Sequence, residues 1–368
     1  MSSAGTFSIR YEFSADTLSN AEQTANEIAL EQTAELPPNA IPPGLQHFTG
    51  TLSDLKQVSD SRYACTIIYS SDVVGEDILQ FLNVMFGNIS IKPTIRITDF
   101  DPGSLASLFP GPMFGIDGIR SLTSVYERPL SCTALKPLGS SPDTLAGIAF
   151  EAALGGIDII KDDHGLANQP MARFESRVKH SVSAIKKAEQ KTGKKTLYFP
   201  NITAQFEDLI QRAELALEYG ADGLLISPQL TGLSALAYLA RSSLELPIMA
   251  HPAFSGPFTI HPLSGIAPDV YFGKLWRALG ADSVIYPNAG GRFSYTLDQC
   301  HSINSACRGE FANCRSAFPV PGGGIDRHTV ADWKGRYGND TIFLIGGSLY
   351  LHPGGMKKAA AEFQQSLG

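Results

Sequence analysis

The feature that most constrains this 368-residue chain is a repeat of eight short apolar segments, each followed by a helical pattern. The apolar segments lack the alternation of period two that marks a half-exposed strand, so strands formed by them would be buried on both faces. Alternating strands and helices imply a parallel sheet with crossover helices, and eight such units predict a closed (β/α)8 barrel. The predicted barrel strands are residues 132–135, 157–160, 196–199, 223–226, 247–250, 283–286, 317–320 and 342–345.

The chain is longer than a barrel of about 250 residues, which leaves room for a second, smaller domain. We predict an α/β protein with an N-terminal α+β domain in residues 1–125 and a TIM barrel in residues 126–368. The first domain shows strand-like segments at 7–13, 63–69 and 89–97. Ser19 and Glu22 predict a capping box at the start of its first helix.

Composition narrows the class of partner. The formal net charge of −7 offers no basic surface for nucleic acid, so a small-molecule partner is favoured. The first residues do not resemble a secretory leader, and no apolar stretch reaches the roughly 18 residues of a membrane span. Five cysteines, an odd number, argue against a disulfide framework. We therefore predict a cytoplasmic enzyme that contacts neither membranes nor nucleic acid.

In a (β/α)8 barrel the residues that follow each strand meet at one mouth, where the chemistry is placed. The second predicted strand ends in Lys161, Asp162, Asp163 and His164, a charged cluster that is costly to bury without a cation or a polar network. Asp163 and His164 can bind a metal, and Lys161 can join them as a carbamate. The alternative is a solvated acidic loop.

Two more strand ends carry candidate catalytic residues. Lys136 follows the first strand and could stabilise an oxyanion or act as an acid, although an exposed surface lysine would look the same. His251 follows the fifth strand and could bind a hydroxyl group or relay a proton, or could be a structural histidine.

Glycines end the last two strands, at Gly322, Gly323 and Gly324 and again at Gly346 and Gly347. Glycine lets backbone amides approach an anion closely, and these loops hold phosphate in many barrels of this kind. Glycine pairs are common in turns, so the prediction of a phosphate site rests on both groups falling in the expected loops.

The stretch from Gly155 to Asp163 resembles the metal motif of the RuBisCO superfamily, and residues 133–137 resemble its first catalytic lysine segment. This resemblance implies a carbamylated Lys161 and Asp163 as ligands of one Mg²⁺, with Lys136 assisting enolisation. His164 stands where the carboxylases have a glutamate ligand. A nitrogen ligand is unusual for so hard a cation, which leaves another metal open.

Other positions depart from the carboxylase pattern. Leu138 replaces a second lysine, and Arg292 replaces the mobile-loop lysine that secures carbon dioxide. Pro252 replaces a phosphate-binding arginine, Gly322 replaces a serine, and Tyr286 lies near the place of a histidine. The resemblance therefore implies one surviving phosphate site, formed by Gly323, Gly324, Gly346, Gly347 and Arg292, and no carboxylation.

In the N-terminal domain, Glu31 and Asn88 match family residues that reach into the neighbouring subunit's barrel, which implies a homodimer with shared sites. An enolising site with one phosphate pocket suits the methylthio-sugar phosphates of methionine salvage. Relatives that enolise 2,3-diketo-5-methylthiopentyl 1-phosphate use a lysine near the position of Asn88 as base, and asparagine cannot replace it.

The prediction is therefore an isomerase that converts 5-methylthioribulose 1-phosphate, through a metal-stabilised enediolate, to 1-methylthio-xylulose or ribulose 5-phosphate. The proton-abstracting base is the Lys161 carbamate or Lys136. The alternatives are the diketone enolase, a decarboxylase or other enzyme acting on another sugar-acid phosphate, and a non-catalytic descendant of the fold.

Overall fold

The computed structural model describes residues 5–368 and contains two β-sheets surrounded by helices. The strands are β1 Thr6–Ser14, β2 Thr51–Ser59, β3 Arg62–Ser70, β4 Arg96–Asp101, β5 Leu130–Leu135, β6 Ile159–Asp162, β7 Leu197–Phe199, β8 Leu224–Ile226, β9 Ile248–Ala250, β10 Gly265–Ile266, β11 Ser283–Pro287, β12 Phe318–Gly322 and β13 Ile342–Ile345.

The α-helices are α1 Leu18–Glu31, α2 Ile78–Phe86, α3 Gly115–Thr123, α4 Pro142–Leu154, α5 Phe174–Thr192, α6 Phe206–Glu218, α7 Pro228–Thr231, α8 Leu233–Arg241, α9 Gly256–Thr259, α10 Trp276–Ala278, α11 Leu297–Arg308, α12 Val330–Tyr337, α13 Gly347–Tyr350 and α14 Gly355–Leu367. A π-helix, Asp269–Leu275, precedes α10.

The eight-stranded sheet confirms the predicted barrel. All its strands are parallel, in the order β7-β6-β5-β13-β12-β11-β9-β8. A parallel bridge between Asn201 and Leu225 joins the two end strands and closes the sheet. Each of the eight predicted segments overlaps one of these strands, because burial on both faces leaves a continuous apolar signal in the sequence.

The interior of the barrel is filled by buried apolar side chains from all eight of its strands, and helix α3 contributes Ile116 and Ile119 to the same cluster. Asp282, just before β11, fixes the start of α3 by accepting hydrogen bonds from the backbone N–H groups of Phe114 (2.7 Å) and Gly115 (2.8 Å). It also accepts one from Ile248 N–H at 2.8 Å. Burial raises the pKa of the Asp282 carboxyl to about 6.

The other sheet has five strands in the order β10-β4-β1-β3-β2, with β10 parallel to β4 and the other pairs antiparallel. Its core is rich in aromatic side chains, in which Phe7 stacks on Tyr69 at 5.3 Å between ring centroids. Tyr11 donates its hydroxyl hydrogen to the carbonyl of Met85 at 3.0 Å, which satisfies a fully buried phenol.

Two details of the N-terminal prediction were wrong. Helix α1 begins after Thr17, whose side chain accepts from the Asn20 backbone N–H, so Ser19 and Glu22 lie inside the helix instead of capping it. The segment 89–97 is not one strand: a 3-10 turn occupies Asn88–Ile91, and β4 begins only at Arg96. Thr94 between them has a positive φ of 63°, which interrupts an extended chain.

The described contacts divide the chain into two compact units. Among the described residues, one unit comprises 5–109, 255–271 and 311–313, and the other comprises 110–254, 272–310 and 314–368. The sequence-based boundary after residue 125 falls inside the barrel unit of this division, because α3 belongs to the barrel core. Within residues 5–368, no helix is both long enough and apolar enough to cross a membrane.

Candidate active site

Lys136 and Asp163 lie side by side at the carboxyl end of the barrel strands. Strands β5 and β6 are neighbours, with Leu135 in register with Asp162, so the residues that follow them leave the barrel together. Lys136 Nζ lies 2.9 Å from Asp163 Oδ1. Burial alone would raise the pKa of the Asp163 carboxyl, but hydrogen bonds from His164 and Lys136 hold it well below its usual range.

His164 and His251 form a second contact at the same mouth. Their imidazole rings are nearly parallel, with centroids 4.3 Å apart and an interplanar angle of 13°. His164 Nδ1 lies 3.4 Å from Asp163 Oδ1. The Nδ1 atom of His251 accepts the Ala253 backbone N–H at 3.1 Å, and burial, with the positive charge of Lys161, places the pKa of His251 well below its ordinary value.

Lys161 is buried within β6 and faces the barrel interior. Its Nζ donates to the backbone carbonyl of Asp162 at 3.2 Å, and the ion pairs of residues 5–368 do not include it. Burial lowers the pKa of this lysine, which favours the neutral amine. A neutral amine is the form that can attack carbon dioxide, so the surroundings of Lys161 fit formation of a carbamate.

The donor set fits a divalent cation only if Lys161 contributes to it. The described residues contain no group of three or more His, Cys, Asp or Glu side chains arranged to hold a metal. Asp163 and His164 supply one carboxylate and one imidazole, and a carbamylated Lys161 would add a second anionic oxygen ligand. Oxygen ligands of this kind suit Mg²⁺, and the imidazole suits transition metals better.

The two glycine groups end adjacent strands, β12 and β13, as predicted. Gly323 and Gly324 have φ angles of +104° and +69°, values that favour glycine. A Cβ built on Gly346 or Gly347 would meet nothing within 4 Å, so open space lies over both backbones. This space could admit a small anion such as phosphate.

Tyr350, in the short helix that starts at Gly347, connects this loop to the segment that carries Lys136. Its hydroxyl accepts the Lys136 backbone N–H at 3.0 Å and donates to the Ala134 carbonyl at 2.7 Å. Sequence reasoning did not identify Tyr350, because its partners lie more than 200 residues away: the separations are 214 and 216.

Three further predicted residues do not contact the side chains at the end of β6. Arg292 is exposed, with its guanidinium 5.1 Å from the centroid of the Phe293 ring. Glu31 and Asn88 belong to the N-terminal unit, where Asn88 Nδ2 donates to Glu31 Oε1 at 3.1 Å. The structure thus pairs Glu31 with Asn88 and places Lys136, Lys161, Asp163, His164 and His251 around the end of β6.

Comparison with known proteins gives the family. Residues 115–368 match the family described as ribulose bisphosphate carboxylase large chain, catalytic domain. The 5-methylthioribulose-1-phosphate isomerase of Rhodospirillum rubrum is 36% identical over 355 residues, which are 95% of this chain and 93% of that protein. The 2,3-diketo-5-methylthiopentyl-1-phosphate enolase of Geobacillus kaustophilus is 35% identical over 309 residues, or 83% of this chain and 75% of that protein.

Solved structures agree with the sequence relatives. A Rubisco-like protein from Rhodopseudomonas palustris has a TM-score of 0.90 at 33% identity, covering 99% of this chain and 97% of that one. The octameric Rubisco of Pyrococcus horikoshii has a TM-score of 0.91 at 28% identity, covering 98% of this chain and 87% of that one. Relatives thus include oligomers and enzymes named for phosphorylated substrates. The chain belongs to the RuBisCO large-chain family, as a RuBisCO-like protein of the form IV type.

Proposed function

We propose that this protein is an isomerase that converts 5-methylthioribulose 1-phosphate to 1-methylthio-xylulose or ribulose 5-phosphate in methylthioadenosine and sulfur salvage. The observation that carries the proposal is the close pairing of Lys136 with Asp163, 2.9 Å apart, next to the buried Lys161. These are the groups that the enolising chemistry of the family requires. The likeness to the Rhodospirillum rubrum isomerase over nearly the whole chain supports the choice of substrate.

In this proposal Asp163, His164 and a carbamylated Lys161 would hold one Mg²⁺. The cation would supply positive charge that stabilises an enediolate as it develops. Lys136 or the Lys161 carbamate removes the proton from C3 of the substrate, and a proton is returned to C2, which leaves the carbonyl at C3. A second transfer of the same kind, from C4 to C3, leaves the carbonyl at C4, which is C2 of the 5-phosphate product. His251, whose Nδ1 already accepts a backbone N–H, presents Nε2 as a hydrogen-bond donor to a substrate hydroxyl.

Gly323, Gly324, Gly346 and Gly347 would bind the single phosphate through their backbone N–H groups. Arg292, exposed in the loop after β11, would approach the same phosphate as a mobile cation. The carboxylase residues for a second phosphate are replaced by Pro252 and Gly322. A substrate with one phosphate and an apolar methylthio end suits this arrangement better than a bisphosphate.

The diketone enolase is the second candidate, supported by the likeness to the Geobacillus kaustophilus enzyme. Its disadvantage is Asn88, which cannot serve as a base. Incubating the protein with Mg²⁺, bicarbonate and each substrate in turn separates the two. Turnover of the methylthioribulose phosphate alone supports the isomerase, and turnover of the diketone alone would replace it with the enolase. Turnover of neither would favour another sugar-acid phosphate or a non-catalytic role.

We also propose a homodimer in which Glu31 and Asn88 of one subunit complete the site of the other. Co-expression of a Lys161→Ala chain with an Asn88→Ala chain tests this arrangement. If Asn88 acts on the partner's barrel, each mixed dimer keeps one intact site and activity returns. If Asn88 acts within its own subunit, both sites of the mixed dimer are damaged and the mixture stays inactive.

A cytoplasmic location is part of the same proposal. All five cysteines of the chain lie within the described residues and none forms a disulfide, which suits a reducing compartment.

A further inference from the structure

Asp162 and Asp163 are consecutive, yet their side chains have different partners. Asp163 reaches Lys136 and His164 at the mouth, whereas Asp162 is completely buried. Asp162 Oδ1 accepts the hydroxyl hydrogen of Tyr198 at 2.8 Å. Its Oδ2 accepts from Arg177 Nε at 2.9 Å and from the Asn201 backbone N–H at 3.0 Å. The carboxylate of Asp162 is therefore fully engaged away from the substrate.

The partners of Asp162 hold the loop that follows β6. Arg177 uses its other nitrogens to donate to the carbonyls of Ala172 and Ala167, both at 2.8 Å. Asn201 Nδ2 donates to the carbonyls of His164 and Leu166, both at 3.0 Å. The loop that carries the two predicted side-chain ligands is thus tied by its carbonyls to a buried ion pair.

Such an ion pair is poorly explained by stability alone. Replacing a buried pair by apolar side chains of similar size is often neutral or stabilising, because both charges must be removed from water. Arg177 and Asp162 have no exposed side-chain surface. The free-energy cost of burying this pair is better explained if the pair fixes the geometry of the loop after β6. Every backbone carbonyl to which Arg177 and Asn201 donate belongs to residues 164–172 of that loop.

We propose that Arg177 and Asn201 are positioning residues, which hold residues 163–167 so that Asp163 and His164 face the cation. This inference rests on the cation site of the proposed function. Residues outside the ligand set that orient ligands commonly change metal affinity by about 10–100-fold when they are substituted.

The test compares variants that differ in their contact with the loop. Asn201→Ser and Arg177→Lys remove hydrogen bonds to loop carbonyls. Tyr198→Phe removes one hydrogen bond to Asp162 but none to the loop, and is the matched control. Binding of Mn²⁺ to each full-length protein, in bicarbonate buffer, is followed by loss of the electron paramagnetic resonance signal of the free ion. Urea unfolding of the same samples gives their stability.

We expect Asn201→Ser and Arg177→Lys to weaken Mn²⁺ binding about tenfold or more, and Tyr198→Phe to stay within about twofold of the wild type. Wild-type affinity in both loop variants, or an equal loss in Tyr198→Phe, would overturn the proposal. So would loop variants that fail to fold, because the network would then support only the fold. A wild-type protein that binds no Mn²⁺ would also overturn the positioning role of Arg177 and Asn201. The isomerase activity is tested independently, by the assay with the two substrates.

Discussion

Substituting Lys161 by methionine should make the metal-free protein more stable and inactive. The Lys161 side chain is buried, and its Nζ donates to the Asp162 carbonyl at 3.2 Å. Burying this nitrogen costs several kcal/mol in either protonation state, because an ammonium loses its hydration and a neutral amine must first release a proton that the unfolded chain holds with a pKa of about 10.4. The hydrogen bond returns only about 0.5–3 kcal/mol. Attraction to Asp163 offsets part of the remainder. Methionine fills a similar volume without charge, so we expect a gain of about 1–2 kcal/mol in the free energy of unfolding.

The assay is urea unfolding in buffer free of metal and carbon dioxide, followed by tryptophan fluorescence, with the midpoint and slope compared between variants. Lys195→Met is the control, since Lys195 is partly exposed and paired with Asp222 at 2.7 Å. This control should lose roughly 1 kcal/mol or less. If the Lys161→Met protein unfolds at a lower urea concentration than the wild type, the folded protein compensates the burial of Lys161, and the argument from burial is wrong.

Three further predictions concern other parts of the barrel. The pKa of Asp282 in the folded protein is about 6, above the value of 3.8 for an unperturbed carboxyl. Its contribution to the free energy of unfolding should therefore fall by up to about 3 kcal/mol as pH rises from about 4 to 6. A difference between the urea midpoints of the wild type and Asp282→Asn that stays constant across this range would contradict the prediction. Arg128→Met leaves Asp158 buried without the partner now 2.7 Å away, so it should cost about 3 kcal/mol in thermal or urea unfolding while turnover at 25 °C stays near wild type. Gly347→Ala should leave the melting temperature unchanged and raise the KM for the phosphorylated substrate about tenfold. The reason is that the Cβ of the new alanine enters the open space proposed for phosphate. An unchanged KM would show that Gly347 does not belong to the phosphate site.

The barrel could be predicted from the sequence because its strands are buried on both faces. Strand β2 was not predicted, since its residues are exposed or half-exposed and show no apolar pattern. The predicted strand at 89–97 failed for a different reason: apolar residues continue through a turn at Asn88–Ile91 and a positive φ at Thr94. Pro93, inside this segment, is a local signal of the break, because proline is disfavoured within a strand, and the prediction did not weigh it.

The candidate site shows the same limit. Strand ends indicated Lys136, Lys161, Asp163, His164 and His251, because barrel topology fixes where those positions lie. Sequence indicated Asp163 as a ligand but could not identify the partners of Asp162, because they are distant in the chain. Arg177 is 15 residues from Asp162, and Tyr198 is 36 residues from it. Contacts of this kind require the folded structure.

The most direct test of the proposed isomerase is phosphorus NMR of 5-methylthioribulose 1-phosphate incubated with the purified protein, Mg²⁺ and bicarbonate in deuterated water. We expect the resonance of the substrate to be replaced by that of a pentulose 5-phosphate, with deuterium at the reprotonated carbon, and no conversion by Lys161→Ala. An unchanged substrate resonance with the wild-type protein would contradict the isomerase, and full conversion by Lys161→Ala would remove Lys161 from the mechanism.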